Sequence, residues 1–162
     1  MKFIIGNIDD LNISDAEISE LLYLVYVEGG FTSADVAKKV FEPNSVKDRG
    51  FVLGAREEES NEFSGMIIIV PPASSAIVRA KENECEIHLL GVKPKFRHCG
   101  LGRDLVSNAV EFSETNKWSK IILWTQKSMK SAQTLYETFD FKQTDEMSKN
   151  DIEFLVFEKK NT

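Results

Sequence analysis

The segment Val92-Lys93-Pro94-Lys95-Phe96-Arg97-His98-Cys99-Gly100-Leu101-Gly102 joins a stretch with strand character, Glu84 to Val92, to one with helical spacing. On the helical side the apolar positions Leu105, Val106, Ala109 and Val110 step as one face of a helix ending near Asn116. A glycine-bearing turn at a helix start presents backbone N–H groups that have no partner inside the helix. The helix dipole adds positive potential at the same place. Together these make a phosphate cradle. Gly100 and Gly102 carry no side chain to hold a diphosphate off the backbone, and Arg97 and Arg103 supply charge-assisted hydrogen bonds. Between Gly91 and Arg103 stand Lys93, Lys95, Arg97 and Arg103 with no acidic residue, a cationic island in a chain of net charge −6.

Two other phosphate-binding patterns fail on spacing. A dinucleotide fold needs Gly-x-Gly-x-x-Gly after its first strand, and this chain has neither the third glycine nor the early position. A triphosphate loop needs Gly-Lys-Ser/Thr, whereas Gly102 is followed by Arg103-Asp104.

Outward from this segment, Lys2 to Ile8 reads as a strand. Ser14 and Glu17 stand at capping-box spacing, with Ile13 and Ile18 as the hydrophobic staple of a helix running to about Val27. Gly29-Gly30 ends it, and Phe31 to Val36 opens a second helix reaching about Phe41, before Pro43. Gly50 to Arg56 and Phe63 to Val70 have hairpin grammar across the polar Glu57 to Glu62 turn, and Pro71 to Asn83 reads as a loop. Strict alternation over Glu84 to Val92 places Ile87 and Leu89 on one face and Glu86, His88 and Leu90 on the other. Ile121 to Thr125 is a short buried strand. Ser128 is the expected cap of a further helix with the stripe Ala132, Leu135, Tyr136 and Phe139, and Phe141 to Asp145 and Ile152 to Glu158 are closing strands.

At 162 residues with 42% hydrophobic and 28% charged content, the chain is sized for one compact domain, residues 1–162, with no internal repeat or linker. Its acidity argues against broad capture of nucleic acid or anionic lipid. The longest apolar run, Met66 to Val70, is far short of the roughly 20 residues of a membrane helix. The only cysteines are Cys85 and Cys99, and the apolar start Phe3-Ile4-Ile5 is broken by Gly6 and Asp9-Asp10, so a cytoplasmic, reducing setting is expected. His88 and His98 offer no metal-ligand spacing, and no metal is expected.

The chain resembles the GNAT superfamily of acetyl-coenzyme A-dependent N-acetyltransferases. Arg97-His98-Cys99-Gly100-Leu101-Gly102 matches its Arg/Gln-x-x-Gly-x-Gly/Ala signature, and Leu89-Leu90-Gly91-Val92-Lys93-Pro94 precedes it as in that family. Ala132 to Phe141 resembles the family's later Ala-x-x-Leu-Tyr-Glu-x-x-Gly-Phe, in the right order and separation. The resemblance implies an α/β fold: a mostly antiparallel mixed sheet of about seven strands, flanked by four helices and splayed between the fourth and fifth strands. It also implies acetyl-CoA as cosubstrate, bound by Leu90, Gly91, Val92, Arg97, His98, Cys99, Gly100, Leu101, Gly102 and Arg103. Met129 stands at a further contact position, where the family often has Asn, and Asp140 replaces the glycine before the final Phe. The Leu90 N–H would face the acetyl carbonyl, as an oxyanion-type donor.

Transfer to an ammonium acceptor requires a base near the fourth strand. Glu86 resembles the catalytic glutamate of histone-type members and His88 one histidine of the arylalkylamine branch, and which of the two is the base stays open; a solvated Glu86 and a packed His88 are the plain alternatives. Tyr136 resembles the family tyrosine that protonates or holds the departing thiolate, yet it also lies on an apolar helix stripe. Cys99 reads as a bystander rather than a nucleophile, and Cys85 as packing. The resemblance also implies that the region between the first two helices walls the acceptor site, with Tyr23, Tyr26 and Phe31 as its lining; amphipathic helices packing on the sheet are the plain alternative. The expected activity is acetyl transfer to a primary amine of a small molecule or peptide, by a monomer or homodimer. The alternative is a non-catalytic acyl-CoA sensor or scaffold, which would need none of Glu86, His88 and Tyr136.

Overall fold

A computed structural model describes residues 1–162. Seven strands form one sheet: β1 (Phe3–Asn7), β2 (Phe51–Glu57), β3 (Phe63–Val70), β4 (Glu84–Val92), β5 (Lys120–Gln126), β6 (Lys142–Lys149) and β7 (Ile152–Lys160), in the spatial order β1-β2-β3-β4-β5-β7-β6. Every neighbouring pair is antiparallel except β4 and β5, which run parallel. Helices α1 (Asp15–Leu22), α2 (Ala34–Val40) and α3 (Pro43–Lys47) are accompanied on the other side by α4 (Leu101–Thr115) and α5 (Lys130–Glu137). One apolar cluster joins Ile18, Leu21 and Leu22 of α1 to Met66, Ile68 and Val70 of β3. The second joins Ile67 and Ile69 of the same strand to Leu101, Leu105 and Val106 of α4 and to Phe141. Alternation along β3 thus feeds both layers, which is why all eight of its residues are buried. No helix is long and apolar enough to cross a membrane.

The capping box is formed as its spacing requires: Glu17 N–H donates to Ser14 Oγ at 3.1 Å, and Ser14 N–H donates to the Glu17 carboxylate at 2.8 Å. Beyond Leu22 the first helix continues to Val27 as a wider π-type turn, a form that recurs at functional sites. Three sequence expectations are corrected. There are five α-helices rather than four, because Pro43 both stops α2 and opens α3, whose N–H groups at Asn44 and Ser45 are taken by Glu42. Ser128 does not cap α5; Met129 holds that position, with no side-chain cap. The alternation along β4 breaks at Leu89, whose φ of 51° makes a bulge where the register against β3 shifts between Met66 and Ile68. Leu89 therefore packs with the α1 layer, and Leu90 and Val92 pack with the α4 layer.

β4 and β5 pair only through Glu84↔Lys120, Cys85↔Ile121 and Glu86↔Ile122. Further along, β5 keeps its antiparallel partner β7 as far as Gln126, so the sheet opens between β4 and β5. α5 ends beside this opening in a Schellman turn. Phe141 N–H donates to Tyr136 O at 3.2 Å and Asp140 N–H to Glu137 O at 3.1 Å, with the Tyr136 and Phe141 rings 5.8 Å apart. Asp140 takes the left-handed position at φ 66°, where the related motif has glycine. Asp140→Val is expected to lose about 1–2 kcal/mol, the cost of a left-handed residue with a β-branched side chain; urea denaturation of the two proteins checks this.

Candidate active site

The loop that opens α4 has the geometry its glycines suggest. After a short 3₁₀ turn at Pro94–Phe96, His98 (φ 62°) and Gly100 (φ 83°) both adopt left-handed backbone, and Gly100 precedes the first helical residue with no side-chain cap on the helix. Alternating backbone signs of this kind turn successive N–H groups to one side, as anion nests do. Gly102 is required by neither φ nor crowding: a Cβ there would meet Leu135 at an ordinary 3.4 Å. Arg97, His98, Cys99, Gly100 and Arg103 are exposed, Gly102 is partly so, and Leu101 is buried in the core.

The cationic island is smaller than its sequence suggests. Glu62, at the end of the β2–β3 turn, pairs with Lys93 at 3.3 Å and with Lys95, and these contacts, Lys95 foremost, hold its carboxyl below the usual range. Arg97 and Arg103 remain without a carboxylate partner. Arg97 Nε donates to Val92 O at 3.2 Å, and Arg103 lies over the Phe139 ring and donates to Thr138 Oγ1 at 3.4 Å.

Glu86 is fully buried and saturated with donors. Its carboxylate accepts N–H bonds from Val78 at 3.0 Å, Arg79 at 2.6 Å and Ala80 at 2.7 Å, while Oε1 lies 2.8 Å from His88 Nε2. Burial pushes its pKa up, but the hydrogen bonds from His88 and the three backbone N–H groups outweigh it and hold the carboxyl below the usual range. On the other side of the ring, His88 Nδ1 faces Arg49 Nη1 at 3.3 Å. A guanidinium only donates, so Nδ1 accepts and the ring proton is assigned to Nε2, directed at Glu86. The ring also packs on Trp124 of β5 in a tilted arrangement, with centroids 5.0 Å apart, across the opening.

Two phenols converge on the same opening. Tyr26, in the π-type turn, donates its hydroxyl to Leu90 O at 3.1 Å and packs on Phe41 at 5.1 Å. Tyr136 is buried against Phe141 and Phe157. Burial pushes its phenol well above the usual range, the Tyr26 phenol adds to this, and no hydrogen bond offsets it. Tyr23 points to solvent at 47% exposure and walls nothing, whereas the Phe31 carbonyl accepts from Gln126 Nε2 at 2.9 Å, tying the α1–α2 loop to the end of β5.

Met129 Sδ accepts from Thr125 Oγ1 at 3.5 Å at the start of α5. Cys85 is core: its thiol meets Ser113 Oγ at 3.4 Å, and burial pushes its pKa up to about 11. Cys99 is exposed, and its thiol donates to Arg97 O at 3.4 Å. No group of three or more His, Cys, Asp or Glu side chains is placed to hold a metal ion. A surface hollow of about 800 Å³ between Gln126–Ser128 and the hairpin tip Ser148–Glu153 is lined by none of Glu86, His88, Tyr26 and Tyr136. Sequence reasoning did not find Arg49 or Trp124. Arg49 lies in a polar run, Lys47-Asp48-Arg49, and nothing local distinguishes it from a solvated cation.

Residues 17–141 match the model of the acetyltransferase (GNAT) family, and the chain belongs to that family. It is 30% identical over 108 residues to an uncharacterized N-acetyltransferase of Schizosaccharomyces pombe, covering 67% of this chain and 61% of that protein. It is 27% identical over 89 residues to N-acetyltransferase family 8 member 3 of Rattus norvegicus, covering 55% and 38%. The matched regions thus span less than two thirds of these relatives' own lengths. The fold is shared with the PaiA N-acetyltransferase of Thermoplasma acidophilum, a structure in complex with coenzyme A, at a TM-score of 0.71 and 18% identity over 99% of this chain and all of that one (100%).

The Glu86 cluster generates a pH-dependent expectation. A carboxyl with a lowered folded-state pKa contributes stability that is present above the ordinary carboxylate range and lost as pH falls through the folded value. Glu86→Gln should therefore be less stable than the parent by about 2–3 kcal/mol near neutral pH. The gap should close as pH falls below the carboxylate range, measured by chemical denaturation across pH.

Proposed function

We propose that the protein transfers an acetyl group from acetyl-CoA to a primary amine of a small molecule or peptide, by direct attack in a ternary complex, as a single domain working in the cytoplasm. The opening between β4 and β5 carries this reading. It runs from the uncapped start of α4, past the edge of β4 left unpaired by β5 after Glu86, to His88 and the Tyr26 and Tyr136 phenols. The residues fit the cosubstrate. Arg97, Arg103 and the N–H groups around Gly100 and Gly102 take the diphosphate, and the edge of β4 from Leu90 to Val92 takes the pantetheine amides as another strand would.

His88 is the proton acceptor in this reading, and Glu86 its positioning partner. Glu86 has its lone pairs engaged by four donors and no path to solvent, whereas the His88 Nδ1 lone pair meets one donor, Arg49 Nη1 at 3.3 Å, and takes the proton once that contact is released. As the amine nitrogen bonds to the acetyl carbon, its proton passes to Nδ1, directly or through a water, and Glu86 stabilises the imidazolium through Nε2–H. The Leu90 N–H is the donor assigned to the carbonyl oxygen, where negative charge grows. When the C–S bond breaks, the Tyr136 hydroxyl gives its proton or a hydrogen bond to the sulfur. The high pKa that burial gives this phenol keeps it protonated for that step.

Acetyl-CoA at a hundred times its Kd should raise stability by about 2.7 kcal/mol, because the loop cradles it only in the folded state. Gly102→Glu, which places bulk and negative charge in the cradle, should abolish the rise, and equal thermal shifts in the two proteins would refute the loop assignment. Tyr136→Phe keeps the ring against Phe141 and Phe157, so stability and acetyl-CoA affinity should hold while turnover falls about 10²-fold, the low end for a lost general acid. Unchanged turnover with chemistry rate-limiting would make Tyr136 a core residue only.

A further inference from the structure

The structure places an arginine with no acidic partner beside His88, and we infer that Arg49 is the recognition site for a carboxylate on the acceptor. The acceptor class is then an amino acid or another amine that carries a carboxylate. This rests on the acetyltransferase reading and narrows its substrate.

The five arginines of the chain fall into distinct circumstances. Arg56 is nearly buried and fully served, bonded to both Glu17 oxygens at 2.9 and 3.2 Å and to the carbonyls of Leu11, Asn12 and Asn61. Arg79 pairs with Asp145 at 2.6 Å. Arg97 and Arg103 are exposed at the diphosphate loop. Arg49 is half-buried, yet its guanidinium bonds only two neutral acceptors, Val40 O at 3.0 Å and His88 Nδ1 at 3.3 Å. Five donors are available on that group, so three are left for a ligand. The groups facing it are the His88 ring and the Tyr26 phenol, which is hydrogen-bonded to Leu90 O; neither is an acid that neutralises it. Glu86, the nearest acid in the network, is turned away behind the far nitrogen of His88, committed to its own four donors.

A partly desolvated cation without a counter-charge is costly, and a planar fork of N–H donors is matched best by a carboxylate. The position is what makes the match informative. Arg49 reaches the same imidazole nitrogen that must accept the amine's proton, so an anion held by its remaining donors lies within a few ångströms of the acceptor nitrogen, as the carboxylate of an amino acid does. Binding that anion also competes for Arg49. As the guanidinium turns to the carboxylate, its N–H leaves Nδ1, and the lone pair is freed when an acceptor is in place.

Binding of acetylated products tests this without requiring turnover. N-acetyl amino acids with small, aromatic and basic side chains, each paired with its own carboxamide, are titrated into the protein by calorimetry, with and without CoA. The carboxylates should bind about 10- to 100-fold more tightly than the carboxamides, the range for a charge-assisted pair. Arg49→Gln should erase that preference and Arg49→Lys retain part of it. In turnover assays of each amino acid against its decarboxylated amine, Arg49→Gln should raise KM for the acid more than for the amine, whatever change in kcat the lost His88 contact brings to both. Equal affinity for acid and amide in the parent protein, or an equal loss of both in Arg49→Gln, would overturn the assignment and leave Arg49 a support for His88. The acid–amide comparison made without CoA decides this even if CoA itself fails to bind, a failure that would instead remove the acyl-CoA reading.

Discussion

The buried Glu86 carboxylate is the contact on which the rest of the site depends. Three successive backbone N–H groups, at Val78, Arg79 and Ala80, turn inward to it. The loop between β3 and β4 is thereby fastened to the strand that carries the site. A neutral side chain could not hold three donors in this way. With an acceptor-only group at its Nε2 side, the His88 ring has one tautomer and one orientation, and its Nδ1 lone pair is aimed at Arg49. The cost of burying the charge is met locally, within hydrogen-bond distance, and this frees His88 from finding a counter-ion elsewhere.

β4 then does two things that a regular strand cannot. Up to His88 it alternates normally, placing Glu86 and His88 on the α1 side. The left-handed Leu89 inserts one residue and reverses the parity, so Leu90 and Val92 pack towards α4 while Gly91 turns to α1. Gly91 has to be small there, since a Cβ would come within 3.1 Å of Leu21. The bulge also coincides with the loss of pairing to β5, and the strand that loses its neighbour is the one whose free edge faces the opening. Tyr26 closes the arrangement from the other layer by bonding Leu90 O, so the wide turn that ends the first helix and the bulge in β4 are held to one another.

The succession of strands and helices and the glycine-bearing turn before α4 were legible in the chain because each has a short-range signature: period-2 and period-3.6 patterns, a Ser14/Glu17 box, a glycine pair before an apolar stripe. Features decided by long-range contact were not. Alternation assigned Leu89 and Leu90 to the wrong faces, because a bulge depends on the partner strand and Leu carries no mark of a left-handed backbone. The island of Lys93, Lys95, Arg97 and Arg103 looked uniformly available, because Glu62 lies more than thirty residues earlier (Lys93–Glu62 separation 31). Glu86 and His88 were placed on one face as a pair, but the burial and saturation of Glu86 were not foreseen, since the N–H groups that occupy it come from a loop with no periodicity at all. Arg49 was invisible for the same reason.

Charge placement around the opening follows from these contacts. In a protein of net charge −6, the two lysines nearest the loop share Glu62, and the arginines at positions 56 and 79 are matched to Glu17 and Asp145. The arginines left without acids are Arg97 and Arg103 at the start of α4 and Arg49 beside His88. An acidic chain gains nothing in folding from leaving these three unmatched, and for half-buried Arg49 it bears a cost. On the proposed function, anions meet these arginines at both ends of the opening, phosphate at Arg97 and Arg103 and a carboxylate at Arg49.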